Sequence, residues 1–373
     1  MGTANVWILG GYQSDFARNL TREGLDFADL TAEVVDNTLS AAKVDATAIE
    51  VVHVANAFGE MFARQGHLGA MPASVNDGLW DTPAARHEAA CASGSVATLA
   101  ALSDLRSGAY RTALVVGVEL EKTVPGDTAA QHLGAAAWTG HEGAEAKFMW
   151  PYMFDRVADE YDRRYGLDDA HLRAIAQLNF ANARANPNAQ TREWTVPDPL
   201  AADDANPPIE GRLRRFDCSQ MTDGGAGIVL VTDDYLRDHP DARPIGRIDG
   251  WGHRTVGLGL QQKLDRAADD PYVLPHVRSA VLDALDRARV TLDDVDGLRG
   301  ARLLHPQRVP RHRPHRAHRP WRIVESDRKQ RDRTRRTLAD QPQRGADRRW
   351  SPGRRVRRAH ARRRRQAGQR NGR

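Results

Sequence analysis

Along the chain, short apolar runs alternate with segments whose apolar residues recur three and four apart. Val6-Trp7-Ile8-Leu9 before Gly10-Gly11 predicts a short buried strand ending in a turn. Asp26 is placed to cap a helix in which Phe27, Leu30, Val34, Val35 and Leu39 make one apolar face. Residues 49–54 read as the next strand, and Ala113-Leu114-Val115-Val116-Gly117-Val118 as a stronger one. Between them, residues 59–81 show little periodicity and read as a long functional loop. Val96, Leu99, Leu102 and Leu105, spaced by three, predict a helix just behind Cys91. Strands alternating with amphipathic helices indicate an α/β fold with helices on the faces of a sheet.

From about Val124 the pattern changes. Trp138, Phe148, Met149, Trp150, Tyr152, Met153 and Phe154 form an aromatic- and Met-rich patch, followed by helical segments over 155–165 and 168–185. This excursion ends near Pro207-Pro208, and its polarity suits a lid or a substrate-binding insertion, while the patch reads equally well as local core. Residues 217–227 are small and lead into the strand Ile228-Val229-Leu230-Val231; they suit either tight backbone packing or a ligand channel. Cys218 in that stretch reads as structural. A strand over 244–248 and an amphipathic helix over 276–289 open what reads as a second α/β half.

Composition bounds the picture. The 373 residues suffice for two domains or one large one. No run of 18 apolar residues occurs, so no membrane span is expected. The N-terminus lacks a basic region followed by a long apolar run, and two cysteines do not make a disulfide scaffold. A cytoplasmic protein is expected, in which the sequon at Asn19 carries no meaning. The net charge of +5 hides a split: residues 298–373 hold 27 Lys and Arg against 5 Asp and Glu, and residues 1–297 hold 27 against 44.

Candidate chemistry centres on Cys91. It sits among Ala, Ser and Gly at the start of the predicted helix, and Ser93, Gly94 and Ser95 would let a substrate approach closely. A thiol at a helix N-terminus is expected to have a lowered pKa, and the thiolate is the nucleophile. The alternative is a small buried cysteine under a core helix.

Four segments in order carry a family resemblance. They are EAACASGS around Cys91, the strand ALVVGVE, WPYMFDRVADEYDRRYGLDDAHLRAIA, and DCSQMTDGGAGIVLV. From about Asn5 to Gly297 the chain resembles the thiolase family, in particular the branch related to the thiolase part of sterol carrier protein x. The resemblance implies two similar α/β halves forming a layered α-β-α-β-α body, with the N-terminal half over 1–240, its loop region at about 124–215, and the second half beginning at 241–297. It implies a homodimer acting on acyl-CoA and CoA without a metal or separate cofactor. Cys91 would carry the acyl group as a thioester, and Met153 would stand at the family's active-site methionine position on the substrate side. Thiolase chemistry also needs acid/base groups and an oxyanion hole. In the family these come from an HDCF-like segment and a Gly-Gly-His-Pro-x-Gly motif, and neither occurs after Gly297 here.

The remainder of the chain is Arg-rich. Residues 298–373 carry 26 Arg and one Lys, without helical or strand periodicity. A non-specific nucleic-acid arm and a metal site at His312, His315 and His318 are the functional readings of this tail. A reading-frame shift explains it better. Residues 298–309 can be encoded so that the frame one base later reads FEVHDCFTPSE, and the same offset over 340–359 permits INPSGGLIGGGHPVGASGV. Both missing motifs return, in order. Such a tail is expected to be disordered and to leave the second half incomplete. The functions in view are an acyl-CoA C-acyltransferase of lipid or sterol breakdown, a thiolase-like protein that binds acyl-CoA or is acylated without turnover, and a basic-tailed nucleic-acid binder.

Overall fold

The computed structural model describes residues 4–195 and 205–298. The expectations for the tail, including disorder, the histidines at 312, 315 and 318 and the shifted-frame motifs, fall outside the described residues.

The chain opens with strand β1 (Val6–Gln13), a turn of helix α1 (Leu20–Glu23) and helix α2 (Phe27–Ala42). Asp26 caps α2 as expected: its carboxylate accepts from the N–H of Ala28 and Asp29, and Asp29 accepts the N–H of Asp26 in return. Strand β2 (Val51–Ala55) comes next, then the short helices α3 (Gly59–Ala63) and α4 (Met71–Val75). The aperiodic stretch over 59–81, expected to be a loop, is thus built of short helical turns. Beyond it lie edge strand β3 (Ala84–His87), helix α5 (Ser93–Ser107) and strand β4 (Thr112–Leu120). The excursion holds α6 (Gly126–Gly134), α7 (Met149–Tyr165), α8 (Asp169–Arg184) and a small ribbon of β5 (Pro208–Glu210) and β6 (Leu213–Arg214). Strand β7 (Asp223–Thr232), helix α9 (Asp233–Asp238), strand β8 (Gly246–Arg247) and helices α10 (Leu260–Arg266) and α11 (Pro275–Ala288) complete the described chain.

Six strands form one sheet in the order β3-β2-β4-β7-β1-β8. β2 runs parallel to β3 and β4, whereas β7 is antiparallel to both β4 and β1. Alternation assigns each strand two faces. Val52, Val54, Leu114, Val116, Val229 and Val231 pack beneath Leu30, Val34, Val35 and Leu39 of α2. Val51, Ala55, Ala113, Val115 and Leu230 pack against Ala97, Ala101, Leu102 and Leu105 of α5. Both faces are covered, which is why these strands read as continuous apolar runs.

The small residues opening β7 serve packing. A Cβ at Gly225 would lie 2.6 Å from Val34 Cγ2, and one at Gly227 would lie 2.3 Å from Thr38 Oγ1. Only glycine lets α2 come this close, so here tight packing holds and not a ligand channel.

Strand β8 corrects one expectation in detail. The sequence pattern places it at the opening of a second half, but Gly246 and Arg247 pair with Ile8 and Trp7 of β1, on the edge of the first sheet. A two-residue strand has too few hydrogen bonds to start a sheet unaided, and β1 offers a free edge. Among the described residues, a second large sheet does not form.

Candidate active site

Cys91 lies in the short loop joining β3 to α5, at the carboxyl end of the parallel strands β2 and β4, the end where open α/β sheets place ligands. The loop is tightly drawn. Ser93 Oγ donates to the carbonyl of Ala90 at 2.6 Å and accepts the N–H of Ala89 at 2.9 Å, and the N–H of Ala90 donates to Glu88 Oε1 at 2.6 Å. Ala90 takes φ +48°, a left-handed conformation that costs a non-glycine residue on the order of 1 kcal/mol and clusters at functional sites. The strained residue directly precedes the thiol. Cys91 is exposed, Gly94 has open space about it, and Ala92 at the N-cap of α5 supplies no side-chain cap. The N–H of Ser93 donates to the carbonyl of Ala90 at 3.1 Å, while no capping side chain takes the N–H groups of Gly94 and Ser95.

The electrostatics overturn one expectation. A helix end should lower the pKa of Cys91; its thiol is instead pushed up, first by desolvation from the surrounding atoms and then by Glu121 and Glu119. Although its surface reaches solvent, enough protein surrounds the sulfur to disfavour the thiolate. Cys91 also precedes the N-cap instead of lying in the first turn, so the macrodipole, which fades within a turn, acts weakly on it.

Glu119 and Glu121 bear on the thiol, and the sequence pattern alone does not single them out. By alternation along β4, Glu119 shares the face of Val115, the face turned to α5, and Glu121 follows one residue past the strand's end. Burial pushes both carboxyls up to about 7, with Glu119 adding to the effect on Glu121. Glu119 is held by accepting the N–H of Ala57, a short contact, while its other oxygen, Oε2, is buried without a hydrogen-bond partner. A signal is present in the sequence: two carboxylates, one near the end of an otherwise apolar strand and one just past it.

Met153 is buried on α7 in a cluster with Ala137, Val157, Leu260, Leu264 and Val273, and Cys91 is not part of that cluster. The aromatic patch around Met153 is largely local core: Met149, Trp150 and Tyr152 pack on the same cluster, and Trp150 Nε1 donates to the carbonyl of Leu133 at 2.9 Å. Cys218 is half-buried beside Leu172 and Leu213 and donates its S–H to the carbonyl of Arg214 at 3.5 Å, as befits a structural cysteine. A shallow depression lined by Thr47, Glu50, Trp80 and Tyr110 opens at the amino ends of β2 and β4, the opposite side from Cys91. Among the described residues no group of three or more His, Cys, Asp or Glu is placed to hold a metal ion, and no helix is long and apolar enough to cross a membrane.

Residues 6–234 match the family model described as the thiolase N-terminal domain. The chain belongs to the thiolase family. Among curated relatives, this thiolase-family chain is 26% identical over 298 residues to the acetyl-CoA acetyltransferase of Methanothermobacter thermautotrophicus, covering 78% of this chain and 72% of that one. It is 26% identical over 282 residues to non-specific lipid-transfer protein-like 2 of Caenorhabditis elegans, covering 72% of this chain and 62% of the relative. Among solved structures it resembles human mitochondrial 3-ketoacyl-CoA thiolase in complex with CoA, with a TM-score of 0.58 and 17% identity, covering 79% of each chain. The last comparison bears on the fold alone, and it agrees with the α/β architecture expected from the sequence.

Proposed function

We propose that this chain derives from a thiolase-type acyl-CoA C-acyltransferase of lipid metabolism and that Cys91 is its acyl-accepting nucleophile. The observation that carries the reading is the placement of Cys91: exposed, beyond the strand ends, behind a strained Ala90 and before an open helix terminus. Attack of the sulfur on a thioester carbonyl would form the acyl-cysteine and release CoA as its thiol; the proton lost by Cys91 leaves with the departing sulfur. The N–H groups of Gly94 and Ser95 in the first α5 turn suit the developing oxyanion. Glu121 and Glu119, with carboxyls near 7, suit proton transfer at the same face but oppose formation of the thiolate. Met153 belongs to this reading as a wall of the acyl side, and a homodimer and a cytoplasmic location are part of it.

The raised thiol pKa favours a second reading, a protein that is acylated or binds acyl-CoA without turning over. Intact-mass spectrometry after incubation with acetyl-CoA separates the two. An adduct at Cys91 with acetoacetyl-CoA formed supports the first, an adduct alone supports the second, and no adduct removes both. With either goes the proposal that a frame shift near codon 298 displaced the remaining motifs. Sequencing the gene across codons 290 to 300 tests it, and an uninterrupted frame with the same Arg-rich tail in near relatives would refute it.

A further inference from the structure

On the α5 face of the sheet two imidazoles meet. His53, central in β2 and 4% exposed, places Nδ1 2.9 Å from Nε2 of His87, the last residue of β3. The rings are 5.0 Å apart, centre to centre, and tilted by 35°. The other nitrogen of His53, Nε2, lies 3.2 Å from Asp104 Oδ2 on α5, close enough for an ion pair but off the line of a straight hydrogen bond. Because Ala85 is opposite His53 and Ala55 is opposite His87, the His87 ring reaches back along the ladder to make this contact.

Counting protons fixes the arrangement. Neutral His53 has one N–H. On Nδ1 it would leave the Nε2 lone pair facing a carboxylate, so it resides on Nε2 and points at Asp104. Nδ1 then accepts the Nε2–H of His87, whose own Nδ1 keeps a lone pair. A first added proton goes to that lone pair and leaves the contact intact. A second, on His53 Nδ1, sets N–H against N–H across 2.9 Å and breaks it.

Few other charges bear on the pair. Asp104 acts on both rings. Arg86, between Ala85 and His87, lies on the opposite face of β3 and is engaged by Glu60. β4 presents Val115 across from His53, and the turn at residues 68–70 that packs on β3 has no titratable side chain. Glu88, next in the chain, is occupied by the N–H of Ala90.

The pair matters because β3 is a short edge strand, exposed at Ala84 and Ala85 and hydrogen-bonded on one side only. It leads directly into the turn that holds Ala90 in its left-handed conformation. Such strain persists only where the surroundings over-determine it. We propose that His53 is a positioning residue for Cys91: the proton it shares with His87, anchored by Asp104, latches β3 and holds the Cys91 turn, and full protonation of the pair releases it. The inference takes from the acyl-transfer reading only the choice of Cys91 as the group being held.

The test uses the full chain carrying Cys218→Ser, so that Cys91 alone reports. Its reaction with 4,4′-dithiodipyridine is followed from about pH 4 to 8, reaching well below the ordinary histidine range because burial lowers both rings. Burial holds both rings below their ordinary value and a protonated His87 lowers His53 further, so the second proton arrives only at the acid end of the range; there the parent protein should react several-fold faster than its thiolate fraction allows, as the turn is released. His53→Gln retains an amide N–H for Asp104 and a carbonyl for His87 but takes up no proton, and should follow the thiolate line throughout. His53→Phe should react at the released rate even at the upper end of the range. Identical profiles for the parent and His53→Gln overturn the proposal. Should His53→Phe fail to fold, hydrogen exchange of the parent decides: after correction for intrinsic rates, uptake over residues 84–92 should rise relative to 112–120 on acidification, and a constant ratio refutes the latch. No acyl-CoA enters either assay, so failure here leaves the acyl-transfer reading standing.

Discussion

The two faces of the sheet are built from the same strands and do different work. Under α2 the contacts are mainly apolar and free of buried charge, with Leu30, Val34 and Val35 essentially inaccessible, Thr31 and Thr38 buried beside them, and glycines drawing the helix onto β7. On the α5 side the helix presents small residues, Ala97 and Ala101, and the strands carry His53, Glu119 and the approach to Cys91. One face is packed to hold the fold, and the other gives up packing to place titratable groups in a low dielectric. That is where perturbed protonation belongs.

The sharpest way to break this comparison is a pair of truncations. Leu30→Ala, at a site 1% exposed, should lose about 2–5 kcal/mol, read from the urea midpoint and slope. Leu99→Ala on the half-buried flank of α5 should lose less than half as much; equal losses would mean that the two faces are packed alike.

An effect of comparable size concerns pH. The Glu119 and Glu121 carboxyls titrate near 7 in the folded state, above their ordinary value, so folding favours their protonated forms. The stability they contribute is fully present below the ordinary carboxylate range and is lost as pH rises through about 7. A tenfold change in a protonation equilibrium is worth about 1.4 kcal/mol, and each carboxyl moves from 4.5 to about 7, so the decline should be on the order of 3 kcal/mol for each of the two. Glu121→Gln should flatten it. The same change removes the charge that opposes the Cys91 thiolate, and alkylation by iodoacetamide on the alkaline side should quicken. An unchanged rate would separate Glu121 from the thiol.

The smallest effect is expected on α11. It is amphipathic like α2, yet none of its residues is buried, and Val277, Val281 and Leu282 are about 40% exposed. It packs by its backbone: Trp251, between glycines that lie against the carbonyls of Ala280 and Ala284, is stacked by Arg106 of α5 and Arg287 of α11. Leu282→Ser should change stability by less than about 0.5 kcal/mol. A loss of several times that would show the apolar face to be covered.

These contrasts explain what is legible in the sequence. The periodicity of α2, its Asp26 cap, the apolar run of β4 and the extent of α11 are local signals, and the structure bears each of them out. Strand β3 is not legible, because Ala-Ala-Arg-His carries no apolar alternation and is extended only through pairing with β2. The inward face of α5 is legible only in part: spacing points to Val96 and Leu99, but Ala97 and Ala101 lie innermost, since small side chains let the helix settle on β2 and β4. The thiol's environment escapes the sequence for a similar reason. A helix terminus is visible locally, whereas Glu119 and Glu121 reach Cys91 from the far end of the next strand.

The strand order also sets a schedule. β1 precedes the other described strands, yet its partners are β7 and β8, with Val6 facing Thr232. At a synthesis rate of about 5–20 residues per second, β1 waits roughly 10 to 45 seconds for its neighbour. Through that interval β2, β3 and β4 can assemble beneath α5, while the amino-terminal strand leaves the ribosome as an unpaired apolar ribbon. A nascent-chain chaperone that shields Val6–Gln13 until β7 has left the exit tunnel would therefore raise the yield of folded protein, and a permuted chain beginning at β2 would depend on it less.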